Sequence, residues 1–242
     1  RGLGDVYKRQ ADLICCKMTL EHIDATADFV RTVRQAIGDR PETAVFFQIP
    51  NGAYVLRDLA FWDIYYEHCS YFTPAALRYL FESNGFTVLD MASHYDDQYL
   101  SIECRPTTGD VEANGEAFGH ELANTQRAVD YFTDNIMVKR GYWRKKLDDA
   151  RRAGKRVVIW GSGSKGVAFL TTLRVTDEVA YAVDINPNRQ GTYMAGTGHE
   201  IVSPAFLTDY QPELVIVMNP IYAADIRQDL DRLGVDAEVV TV

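Results

Sequence analysis

Eight consecutive residues, Tyr65 to Phe72 in the order YYEHCSYF, hold a carboxylate, an imidazole, a thiol and four aromatic rings. They alternate like neither a helix nor a strand. A histidine beside a carboxylate can be held in one tautomer and made more basic, which suits His68 to general-base work with Glu67 as its partner. Nearby tyrosine hydroxyls, Tyr65 among them, can donate to a developing oxyanion. An aromatic lid in which Glu67 and His68 are incidental accounts for the same composition, and spacing alone does not separate the two.

Two further stretches carry chemistry. TLEHI, residues 19–23, follows the apolar run DLICCKM, which has strand length. In open α/β sheets the ligand crevice lies outside the carboxyl ends of the strands, so His22 is directed toward any active site there unless it caps or packs locally. Lys17 and Met18, just past the strand end, are placed to touch a cofactor on that edge. The second stretch, GSGSKG, matches G-x-G-x-x-G at Gly161, Gly163 and Gly166, between an apolar strand and a helix. Asp184 ends the next strand, in the position of the acidic residue of a dinucleotide fingerprint. Such a turn brings the backbone N–H groups of Ser162, Gly163 and Ser164 close to an anion at a helix N-terminus. Lys165 is either placed to pair with a diphosphate or a solvated loop lysine. The histidines and cysteines show no metal-ligand spacing, so no metal site is expected.

The elements that must position these residues read as α/β. In the first block, residues 11–108, DLICCKM suits a strand covered on both faces. Asp24 can cap a helix carrying Phe29, Val30, Val33 and Ile37 on one face, closed by Gly38. AVFFQIP is the next strand. Thr73-Pro74 start a helix that Asn84-Gly85 end, and FTVLDMASH and QYLSIECRP form a final hairpin. Residues 109–152 carry apolar residues at helical spacing (Phe118, Leu122, Val129, Phe132, Ile136, Trp143, Leu147) and read as one or two linking helices. Their basic run, Arg144, Lys145, Lys146, Arg151 and Arg152, is either a solvated helix face or a neighbour of an anionic ligand. The last block, 153–242, is a fresh α/β unit with strands RVVIW, AYAVDI, LVIVMN and EVVTV and the amphipathic helix IYAADIRQDLDRLG.

Composition narrows the function. The chain has 242 residues, a net charge of −9, 47% hydrophobic residues and four cysteines without CxxC pairs. The charge argues against nucleic acid as a partner, and no apolar run nears the ~20 residues that span a bilayer. Reduced thiols and a cytoplasmic setting are expected. Residues 1–10, RGLGDVYKRQ, resemble an adapter-derived scar and are expected to lie outside the fold. The chain is accordingly expected to be a fragment.

Taken together, the motifs are similar to those of the SAM-dependent sugar C-methyltransferases, some of which act on dTDP-linked keto-deoxysugars. YYEHCSYFT resembles their Y-H-E-H-x-x-Y-F-S stretch, and VVIWGSGSKG with VDINPNRQGTYMAGTGHEIVSP resembles their C-terminal domain. LEHI sits where class I methyltransferases carry the loop after the fourth strand. The resemblance covers nearly everything from Ala11 to Val242. It implies the second half of a methyltransferase domain, linking helices and a Rossmann-like C-terminal domain that helps hold a nucleotide-sugar. It further implies that His68 removes the proton next to a keto group, that Glu67 orients His68 or binds the sugar, and that Tyr65 and His22 stabilise the enolate oxygen. SAM is the implied cofactor. Zinc is implied only for an N-terminal domain that this sequence does not contain, as it does not contain the glycine-rich SAM loop; GLG at residues 2–4 has no strand before it. Tyr66 replaces the first histidine of the family motif, which bears on the substrate. An NAD-dependent oxidoreductase using Gly161, Gly163, Gly166 and Asp184 and a non-catalytic nucleotide-sugar-binding module are the alternatives.

Overall fold

A computed structural model describes residues 11–108 and 115–242, the side chains of 115–118 apart. The scar-like residues 1–10 and the side chain of Phe118 fall outside the described residues. The chain forms two compact units. One comprises the residues up to Asp58 together with Tyr66–Tyr131; the other comprises Leu59–Tyr65 and Phe132–Val242. The division therefore falls inside a helix rather than at either end of the expected linker, and the six residues before the His68 motif, with its first residue Tyr65, belong with the second unit.

The first unit is built on four strands, β1 (Leu13–Lys17), β2 (Ala44–Pro50), β3 (Phe86–His94) and β4 (Tyr99–Pro106), in the order β1-β2-β4-β3. β1 and β2 run parallel with Leu13 opposite Ala44 and Lys17 opposite Gln48, whereas β4 is antiparallel to both of its neighbours. Helices α1 (Thr26–Ile37) and α3 (Pro74–Glu82) lie on the face that carries Val45, Phe47, Ile49, Leu100 and Ile102. Helix α2 (Gly52–Asp58) follows β2. Thr73 caps α3 as its side chain accepts from the Ala76 N–H at 3.3 Å, with Pro74 in the first turn. Gly38 closes α1 at φ +64°.

Two local expectations change. Asp24 accepts from the Ala25 N–H at 2.7 Å and leaves the start of the helix to Thr26. β1 is not covered on both faces: Ile14 and Cys16 pack on the core, while Leu13 is 58% exposed and Cys15 and Lys17 are exposed too. Its apolar run is continuous because both faces are apolar, and among the described residues only one of them finds a cover.

The second unit is a five-stranded parallel sheet in the order β7-β6-β5-β8-β9. Its strands are β5 (Val157–Trp160), β6 (Tyr181–Val183), β7 (Glu200–Val202), β8 (Leu214–Val217) and β9 (Glu238–Thr241). Helices α5 (Ser164–Thr172), α6 (Leu207–Tyr210) and α7 (Ala223–Arg232) connect them. Strand order reverses at β5, which is flanked by β6 and β8, and such a reversal opens a crevice at the strand ends. β7 is only three residues long, too short to stand out by its pattern.

Of the one or two linking helices expected, the structure forms one, α4 (Gly115–Arg152). Among its described side chains Trp143, Leu147 and Ala150 are buried, whereas Leu122 and Val129 are exposed. Its basic run is a salt-bridged face. Arg144 pairs with Asp148 and Glu178, Lys145 with Asp149, Lys146 with Glu238, Arg151 with Asp177, and Arg152 with Asp149. No helix among the described residues is long and apolar enough to cross a membrane.

Candidate active site

Because β1 and β2 are parallel, the segments after Lys17 and Pro50 emerge on the same edge of the sheet. The first makes one 3-10 turn, Leu20–His22, in which Leu20 and Glu21 are buried and His22 is exposed. The second leaves as α2 and returns through the His68 motif. Its return is pinned at the base, where the Gly52 N–H donates to the Phe72 carbonyl at 2.8 Å. A side chain at Gly52 would place its Cβ 3.0 Å from that oxygen, so anything larger than glycine presses on the closure. Higher up, the N–H groups of Cys69 and Ser70 both donate to the Glu21 carbonyl, at 2.7 and 3.2 Å. The Cys69 sulfur lies 3.6 Å from the His22 carbonyl oxygen. Backbone hydrogen bonds thus stitch the two loops together.

This stitching brings His22 and His68 edge-to-face, with ring centroids 4.8 Å apart. Tyr71 adds a third ring, 5.8 Å from that of His68. Burial lowers the pKa of His68 and the neighbouring His22 lowers it further, which favours the neutral imidazole. The carboxylate that accompanies the two rings is Glu21. Its oxygen lies 3.8 Å from His22 Nε2, its side chain is 2% exposed, and both oxygens are buried without a hydrogen-bond donor. Burial accordingly raises its pKa. Glu67 is exposed, and the peptide joining it to Tyr66 is cis.

Of the residues singled out in the sequence, His22 and His68 meet, Lys17 ends β1 and Met18 follows it on the same edge. Tyr65 lies in the other unit. Glu21 was missed. Its signal was present, since LEH repeats the Glu-His doublet of YYEH, but only the fold shows that the two doublets converge. Glu21, His22 and His68 each offer a ligand atom within 4.8 Å of the others, a grouping invisible to a search for ligand spacing along the chain.

In the second unit the GSGSKG turn lies between β5 and α5 as expected. Gly161 has φ +121°, and a Cβ on Gly166 would stand 2.5 Å from the Gly161 carbonyl oxygen. These two glycines serve the turn and its packing; Gly163 precedes Ser164 as the cap of α5. Asp184 is engaged on both oxygens. One accepts from the Asn186 N–H at 2.9 Å, and the other accepts from the Ser162 N–H and hydroxyl and from Arg189. Burial pushes this carboxyl up, but the Ser162 and Asn186 donors and the Arg189 charge outweigh it and hold the pKa below the usual value. Lys165 does not stand ready for a diphosphate: it pairs with Asp63 at 2.7 Å. That pairing belongs to an aromatic anchor for residues 59–65. Phe61 stacks on Phe169 at 5.8 Å, Trp62 is buried beneath the Lys139 ammonium, and Trp143 meets Phe169 edge-on.

Fold and site together define an α/β chain with two imidazoles at the edge of one sheet and a Rossmann-like unit after it. Comparisons with known proteins give its family. A methyltransferase domain matches residues 4–91, and the C-methyltransferase C-terminal domain matches residues 105–238, more than half of the chain. The chain belongs to this C-methyltransferase family. A curated relative, C-methyltransferase NovU from Streptomyces niveus, is 26% identical over 199 residues, covering 77% of this chain and 46% of the relative. The chain thus spans about half of that relative's length. Magnesium protoporphyrin IX methyltransferase from Synechocystis PCC 6803, solved with bound SAH, is 16% identical over 43% of this chain and 49% of its own. The TM-score of the pair is 0.29.

Proposed function

We propose that this chain serves SAM-dependent methylation of the carbon next to a keto group, in a nucleotide-linked sugar or a similar small molecule. The observation that carries the reading is the meeting of His22 and His68 at the carboxyl edge of a parallel strand pair, with His68 kept neutral. A neutral imidazole that is shielded from water on one side is suited to removing a weakly acidic C–H proton.

In the proposed reaction His68 takes the α-proton, and the electrons of the C–H bond pass into the carbonyl to give an enolate. His22 donates to the enolate oxygen; Tyr65 enters as a second donor by its place in the motif alone. SAM, when bound, supplies the electrophilic methyl group. Lys17 and Met18 fit its methionine end by position, whereas no acidic glycine-rich loop for an adenosine follows a strand among the described residues. His68 then passes its proton to solvent. The Gly161–Gly166 turn is proposed to hold the nucleotide portion through backbone N–H groups. Engagement of both Asp184 oxygens counts against the oxidoreductase alternative, which needs that carboxylate for a ribose.

The test is α-proton exchange in deuterated water by the full-length protein with a keto-sugar nucleotide. His68→Ala should slow exchange by at least about a hundredfold while SAM affinity stays within a few-fold. Exchange at the wild-type rate would remove His68 from the role of base.

A further inference from the structure

We propose that Glu21, His22 and His68 form a binding site for a divalent transition-metal ion of the Zn²⁺ type, whose occupation switches off the base. Binding stands on geometry alone; the inhibition rests on the reading of His68 given above.

Three observations support the site. First, the donor set is chemically right: two imidazoles and one carboxylate are a known zinc set that leaves a fourth position open. Second, the donors are close. Their ligand atoms lie within 4.8 Å of one another, and ligands at about 2.0–2.1 Å from a tetrahedral ion stand roughly 3.4 Å apart. Third, Glu21 is buried without any donor on either oxygen. A charged carboxylate in that condition is costly unless a cation reaches it. The two loops that bring the donors are fixed to each other by the Cys69 and Ser70 N–H bonds to the Glu21 carbonyl, so the ion need not organise the backbone.

The consequence for chemistry is direct. A metal takes the imidazole lone pair that a general base must offer to a proton, so a metal-bound His68 cannot deprotonate the substrate. No bond in the substrate is made or broken by the ion.

Zn²⁺ alone, followed by calorimetry on this chain, and Co²⁺ alone, followed by its visible d–d absorption, provide the test. Wild type is expected to bind one ion with a tetrahedral Co²⁺ spectrum. Glu21→Gln, His22→Gln and His68→Gln should each weaken binding by at least about tenfold, since even outer-shell partners are worth that much. Glu21→Gln keeps the size and shape of the side chain, so it tests the site where a larger change might unfold the loop. A thiolate-to-cobalt charge-transfer band, or binding lost in Cys16→Ser or Cys69→Ser and kept in all three ligand variants, overturns the proposal. In full-length protein, Zn²⁺ should inhibit proton exchange and a chelator should restore it. Stimulation by Zn²⁺, or activity lost to the chelator, overturns the inhibitory role. Because binding is read without turnover, an inert His68→Ala result in the exchange assay would sink the base and leave the metal site standing.

Discussion

The Lys165 ammonium meets the Asp63 carboxylate at 2.7 Å within the second unit, and both side chains are largely shielded from solvent. Burial raises the pKa of Asp63 more than the Lys165 charge lowers it. Such a pair adds little net stability, yet breaking it strands a buried charge. Lys165→Met is therefore expected to destabilise the second unit by about 3 kcal/mol, and Asp63→Asn with Lys165→Met to recover most of that loss. Urea unfolding of the single and double variants measures it. A single variant as stable as wild type would show that the pair does not anchor residues 59–65.

Glu21 is a local cost to the fold, because neither buried oxygen finds a donor. Replacing it with the neutral, similarly shaped glutamine should stabilise the first unit by about 1 kcal/mol. The measurement is the urea midpoint in the presence of a chelator. A lowered midpoint would reveal a donor to the carboxylate.

Glycines of one motif should differ sharply in tolerance. Gly166→Ala drives a methyl group to 2.5 Å from a backbone oxygen and should cost the second unit more than about 2 kcal/mol. At Gly163 the nearest atom is the end of the Arg189 side chain, 3.6 Å away, with the backbone extended. Gly163→Ala is expected to fold with a midpoint close to wild type. Calorimetry of this variant with a nucleotide-sugar then tests whether the turn holds the nucleotide portion.

Glu178 gives the second unit an acid dependence. Burial pushes its carboxyl up, but the Thr176 and Glu178 N–H groups and the Arg144 guanidinium more than reverse this and bring the pKa down to about 2 from 4.5. A depressed carboxylate stabilises above its unfolded pKa and loses that stability as pH falls through the folded one. The second unit should therefore weaken between pH 4.5 and about 2. The loss should be roughly 1–2 kcal/mol after allowance for solvent screening. Glu178→Gln should flatten this part of the stability-against-pH curve. An unchanged curve would assign the acid transition to other carboxylates.

Local pattern determined most of the elements. AVFFQIP and FTVLDMASH are strands over the full lengths read from the sequence, and Thr73-Pro74 begin a helix, because apolar runs, caps and prolines act on their own neighbourhood. The G-x-G-x-x-G turn was legible for the same reason: its glycines answer constraints within a few residues. His22 was directed to the sheet edge by its place after an apolar strand. Tertiary structure alone decided what surrounds it. It buried Glu21 beside the imidazoles while leaving Glu67 exposed, joined Asp63 to Lys165 across a hundred residues of chain, and engaged Asp184 with Ser162 and Arg189. The sequence names which groups can ionise or donate. Which of them lose water, and which meet a counter-charge, depends on segments distant in the chain, and those two quantities set the chemistry of the site.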